Sequence, residues 1–104
     1  MGKRVDASPE VSLDEILACV SAEYGVSAED LRGPSRNRVV SEVRVVIGWL
    51  SRRLEADSIK GMATYFQRDP STFSRQIGRI DYKARHSDQF RARLNRYINT
   101  IVQV

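Results

Sequence analysis

Gln67-Arg68-Asp69-Pro70-Ser71-Thr72-Phe73-Ser74-Arg75-Gln76-Ile77-Gly78-Arg79-Ile80 reads as a short turn running straight into a helix. Asp69 can cap that helix by accepting a backbone N–H, and Pro70 suits the first helical position, where its missing donor is not needed. From there Phe73, Ile77, Ile80 and Ala84 recur at helical spacing as one apolar stripe. At about 100° per residue, Ser71, Arg75, Arg79 and Tyr82 fall roughly opposite it, with Thr72 and Lys83 beside them. One face is built to be buried, and the other offers hydroxyls and guanidiniums, the groups that meet base edges and phosphates in a DNA major groove. For this helix alone, a solvated basic face is the competing reading.

The segment before it decides between the two. Ser58 can cap a helix through Ile59-Lys60-Gly61-Met62-Ala63-Thr64-Tyr65-Phe66, whose apolar positions Ile59, Met62, Ala63 and Phe66 follow one helical face. Two short amphipathic helices joined by a tight turn, the second basic and polar on its outer side, describe a helix-turn-helix.

A chain of 104 residues makes one domain, and 41% hydrophobic content suits a compact fold. The remaining pattern is helical as well. Residues 1–11 read as a flexible lead-in, with the domain over 12–104. Ser12-Leu13-Asp14-Glu15 is a capping box opening a helix that stops at Gly25, and Ser27 starts a short helix that Gly33-Pro34 ends. Ser35 begins the longest helix, to about Leu54, with Val39, Val40, Val43, Val46, Ile47, Leu50 and Leu54 as its stripe; Trp49 lies off that stripe and packs on another helix. Arg85-His86-Ser87-Asp88 breaks the pattern before a last helix that turns Phe90, Leu94, Tyr97, Ile98 and Ile101 inward and Arg91, Arg93 and Arg96 outward. The expectation is an all-α domain of five to six helices.

The net charge is +4, unevenly spread. Asp6 to Leu31 holds seven acidic residues and no Lys or Arg, whereas Arg32 to Val104 holds fifteen basic and six acidic residues. Such asymmetry points to a polyanion-binding face, or to an acidic helix lying against basic ones; the two are compatible. The single Cys19 reads as a buried, inert thiol and the single His86 as a loop residue, so no metal or cofactor is expected. With no paired inward carboxylates and no Gly-rich phosphate loop, an enzyme is the least favoured class. No apolar run reaches a membrane span and Met1-Gly2-Lys3-Arg4 lacks a signal-peptide core, so a soluble, cytoplasmic chain is expected.

From about Ile16 to Thr100 the chain resembles the DNA-binding domain of the bacterial replication initiator DnaA. The marks are Glu23-Tyr24-Gly25-Val26-Ser27-Ala28-Glu29-Asp30-Leu31, then Arg36-Asn37-Arg38, Arg44, Ser58-Ile59, Arg68-Asp69 and Ser71-Thr72. The resemblance implies a fold of the TrpR/DnaA C-terminal type, bacterial in kind, with the helix-turn-helix in the major groove and the loop of Arg36 and Arg38 in the adjacent minor groove. Two departures stand out: Pro70 replaces the His that follows Arg-Asp in the family motif, and Gln67 stands alone where two glycines are common. In this variant form the chain is similar to the DnaA-like domain appended to REP-associated tyrosine transposases. A binding module of a replication-initiator-like or transposase-related protein is thereby implied.

The expected partner is double-stranded DNA. Asp69, Ser71 and Thr72 match the family's base-contacting positions, while Arg75 and Arg79 join them by helical geometry. Arg44, Arg52, Lys60, Arg68 and Gln76 are assigned to phosphates, which set affinity and register rather than sequence. The oligomeric state stays open, a monomer on DNA included. The alternative is a helical protein-interaction module whose acidic first helix and basic opposite face dock partners.

Overall fold

The computed structural model describes residues 11–34 and 37–102. These form six helices: α1 (Leu13–Tyr24), α2 (Ala28–Arg32), α3 (Arg38–Arg53), α4 (Ile59–Phe66), α5 (Pro70–His86) and α6 (Asp88–Val102). Among the described residues there is no strand, and the fold is all-α.

Local chemistry sets most of the boundaries. Ser12 and Glu15 exchange hydrogen bonds as a capping box at the start of α1, and Gly25 ends it at φ 68°. Ser27 and Ser58 cap α2 and α4 with their hydroxyls. Asp69 caps α5 by accepting from the Thr72 N–H at 2.9 Å, with Pro70 at the first helical position. Ser87 ends α5 and accepts from the Phe90 N–H at 3.2 Å, so one residue closes one helix and starts the next.

α3 is the hub and packs against α1, α2, α4 and α5, while α6 closes the bundle against α1 and α5. Its middle is enclosed so widely that Val43, Val46, Ile47 and Leu50 are fully buried and Val45, outside the expected stripe, is buried with them. Phe66 and Phe73 meet across the helix-turn-helix corner with ring centroids 5.8 Å apart. Phe73 also lies against Gly48 of α3, where a Cβ would come within 2.6 Å of its ring.

Several expectations need correction. α3 starts at Arg38, not at Ser35: the side-chain carbonyl of Asn37 accepts from the Val39 and Val40 N–H groups and makes Asn37 the cap. Ser35 lies outside the described residues. Val39 shares the face of Val43 and Val46 but sits one turn beyond the enclosed part, and is 48% exposed. Val11, assigned to the lead-in, packs against the core; residues 1–10 lie outside the described residues. His86 is the last residue of α5, not a loop residue, and its ring stacks on Tyr82 at 4.2 Å. Cys19 is half-buried, and burial followed by the Glu23 charge raises its thiol above the ordinary value, which keeps it protonated. Trp49 packs toward α5 as expected, its indole N–H donating to the Asp81 carboxylate at 2.6 Å.

Candidate nucleic-acid interface

The corner between α4 and α5 is three residues long, Gln67 to Asp69. Gln67 takes the left-handed conformation (φ 57°) that usually selects glycine. The Gln67 N–H bonds to the Thr64 carbonyl and the Arg68 N–H to the Ala63 carbonyl at 2.8 Å, which closes α4 with a Schellman motif. Arg68 then fastens the corner from outside. One guanidinium nitrogen donates to the Phe66 and Gln67 carbonyls, and the other to the Gly33 carbonyl at 2.7 Å. Arg32 adds a second tie, donating to the Tyr65 carbonyl while its guanidinium lies over the Tyr65 ring.

This corner aims α5. Phe73, Ile77 and Ile80 are buried beneath it, and Ser71, Thr72, Arg75 and Arg79 are exposed above. Neither Arg75 nor Arg79 forms an ion pair with a described residue. The cations of α6 stand differently: Arg96 pairs with Glu23 of α1 at 2.8 Å, Arg91 with Asp88, and Arg93 donates to the Tyr24 hydroxyl. One cation of α6 is thus paired with the acidic first helix, whereas Arg75 and Arg79 on the outer face of α5 form no ion pair among the described residues.

At the start of α5 lies a hollow of about 390 Å³, walled by Pro34, Ser41, Arg44, Arg68, Thr72 and Gln76. Asp69 sits at its edge with its carboxylate held below the ordinary carboxylate range, first by the Thr72 N–H and then by the Thr72 hydroxyl. Arg44 is not the exposed cation expected for a phosphate contact. It is 5% exposed, and its Nε donates to the Leu31 carbonyl at 2.9 Å, so its first duty is to hold the end of α2 against α3. Its Nη2 has no partner among the described residues. Burial lowers the Arg44 pKa, and the neighbouring Arg68 charge lowers it further.

The remaining assigned residues divide by position. Lys60 is exposed on α4, and Arg38 is exposed at the start of α3, one helical turn before Ser41 and on the side of the hollow. Gln76 is half-buried in the hollow wall. Arg52 is exposed at the far end of α3, in a cleft shared with Trp49 and Asp81, and is not part of this grouping. Arg36 lies outside the described residues. Pro34, Ser41 and the carbonyls of Leu31 and Gly33 join the site unannounced by any motif. Their only signal in the sequence was the Gly33-Pro34 helix stop.

Residues 13–80 match the family model described as the bacterial dnaA protein helix-turn-helix. The chain is similar to the chromosomal replication initiator protein DnaA of Campylobacter fetus subsp. fetus, with 30% identity over 92 residues, 88% of this chain and 21% of the relative. The protein of the same name from Desulfotalea psychrophila is 29% identical over 104 residues, the whole of this chain and 22% of the relative. That of Deinococcus radiodurans is 28% identical over 92 residues, 88% of this chain and 20% of the relative. The chain spans about a fifth of the length of these curated relatives. No described helix is long and apolar enough to cross a membrane.

Proposed function

Because the chain belongs to the bacterial DnaA helix-turn-helix family, a DNA-binding module, we propose that it reads double-stranded DNA sequence-specifically through α5. The observation that carries this is the outer face of α5, where Arg75 and Arg79 stand exposed without an ion pair among the described residues while the arginines of α6 are engaged. Asp69, Ser71 and Thr72 begin that face and, with Arg75 and Arg79, make the base contacts; an Arg bidentate to guanine contributes about 1–3 kcal/mol of discrimination.

Phosphates take the flanking positions. Lys60 and Gln76 hold the duplex backbone from outside, while Arg44 acts by fixing the end of α2 beside the hollow. Arg68 contributes by fixing the corner, since both of its terminal nitrogens are already given to carbonyls. Arg38, with Arg36, enters the adjacent minor groove, where narrow A·T-rich sequence attracts guanidinium. Pro70 brings no side-chain donor to the position where the family motif has His, so the preferred sequence differs from the replication-origin box.

Selection of binding sites from random duplexes tests the reading. It succeeds if a single motif is recovered and fluorescence-anisotropy titration shows affinity falling steeply with salt. Recovery of no motif, or affinity indifferent to salt, overturns it.

A further inference from the structure

We infer that Gly78 marks where the sugar–phosphate backbone of DNA comes closest to α5, with Tyr82 as the wall of that contact. The inference deepens the reading above and rests on it.

Glycine in the interior of a helix costs stability relative to alanine, so its presence there needs a reason. The other helical glycines have one inside the molecule. A Cβ on Gly48 would strike the Phe73 ring, and one on Gly61 would strike the Asp57 carboxylate. At Gly78 no atom of the described residues beyond its own turn lies within 4 Å of the position a Cβ would take, and its φ is not in the left-handed region. Neither packing nor backbone geometry of the described residues requires glycine there.

What surrounds Gly78 is the binding face itself. Arg75 lies three residues before it, Arg79 follows it, and Tyr82 stands one turn further along. Gly78 is eight residues beyond Pro70, about 12 Å along the helix axis. That equals the roughly 12 Å width of the major groove. A helix that crosses the groove from one wall to the other therefore reaches the far phosphate wall at Gly78. Its bare backbone lets that wall ride against the helix between two cations with no ion pair among the described residues. Tyr82, 66% exposed, has its ring braced on His86 and carries a phenolic donor suited to a phosphate oxygen.

The test uses the full chain and a duplex recovered by selection. Gly78→Ala and Gly78→Leu are compared with the unaltered chain by thermal melting and by anisotropy titration at fixed salt, and Tyr82→Phe is titrated beside them. Both Gly78 substitutions improve helix propensity, so melting temperatures rise, by about 4–8 °C for alanine. Affinity falls in order of side-chain size, by about tenfold or more for leucine. Tyr82→Phe weakens binding to selected and scrambled duplexes alike, as removing a hydrogen bond to phosphate does. Gly78→Leu binding as tightly as the unaltered chain overturns the inference and leaves the proposed function standing. An unaltered chain that recovers no duplex ends both.

Discussion

Arg44 gives its Nε to the Leu31 carbonyl and Arg68 gives an Nη to the Gly33 carbonyl, so two cations share the end of one short helix. Carbonyls at a helix C-terminus lack helical donors and carry partial negative charge, which suits guanidiniums. Arg44→Ala strands a buried carbonyl and opens a void, and is expected to cost about 2 kcal/mol of stability, read as a lower urea midpoint at unchanged slope. Asp69 makes a prediction of a different kind. Its pKa is depressed in the fold, so its contribution is present above the ordinary carboxylate pKa and disappears as pH falls through the folded value. Asp69→Ala should therefore melt several degrees below the unaltered chain at neutral pH, with the gap closing as the pH drops below about 4. Asp69→Asn, which still caps, should keep its melting temperature and change only the base preferred. Asp69, Ser12 and Gly25 were legible in the sequence because a cap is a local device with a residue signature. The duties of Arg44 and Arg68 were not, since a carbonyl acceptor thirteen or thirty-five residues away belongs to every residue type and leaves no mark.

Between elements, the crossing of α3 and α5 depends on Gly48. The Phe73 ring occupies the space a side chain would need, and Ile77 closes in beside it at 3.1 Å from the same point. Gly48→Ala gains helix propensity and loses more through overpacking, for a net cost of about 1–3 kcal/mol. Pairing it with Phe73→Leu should give a smaller loss than the sum of the two single changes, measured by a double-mutant cycle in urea. Helical periodicity found all six elements but misjudged the circumference of α3. A stripe assumes one buried side, whereas α3 is packed by four helices, so Val45 is buried and Val39, past their reach, is not. α3 starts at Arg38 rather than at Ser35 for a reason that propensity does not encode: the side-chain carbonyl of Asn37 reaches two N–H groups at once.

Across the whole molecule, charge is sorted rather than averaged. The acidic stretch before Leu31 and the basic remainder were visible at once in the sequence, and an acidic helix against a basic one coexists with a bare basic face. Glu23 answers Arg96, while Arg75 and Arg79 form no ion pair among the described residues, Arg75 adding only a minor share to the lowering of the Asp69 pKa. Glu23→Gln and Arg96→Ala should therefore leave DNA affinity within about twofold of the unaltered chain. The double change of Arg75 and Arg79 to alanine should weaken it severely. It should also erase much of the preference for the selected duplex over a scrambled one, as read by anisotropy with both duplexes.

The ion pair between α1 and α6 has one more effect, on how the molecule travels. With Arg96 paired to Glu23 and Arg75 and Arg79 in no ion pair among the described residues, the domain carries its less compensated cations on α5, the proposed reading helix. In the field of a polyanion it experiences a torque before any atom touches, and it arrives already turned to engage. Its association rate should climb steeply as salt is diluted, while dissociation responds less.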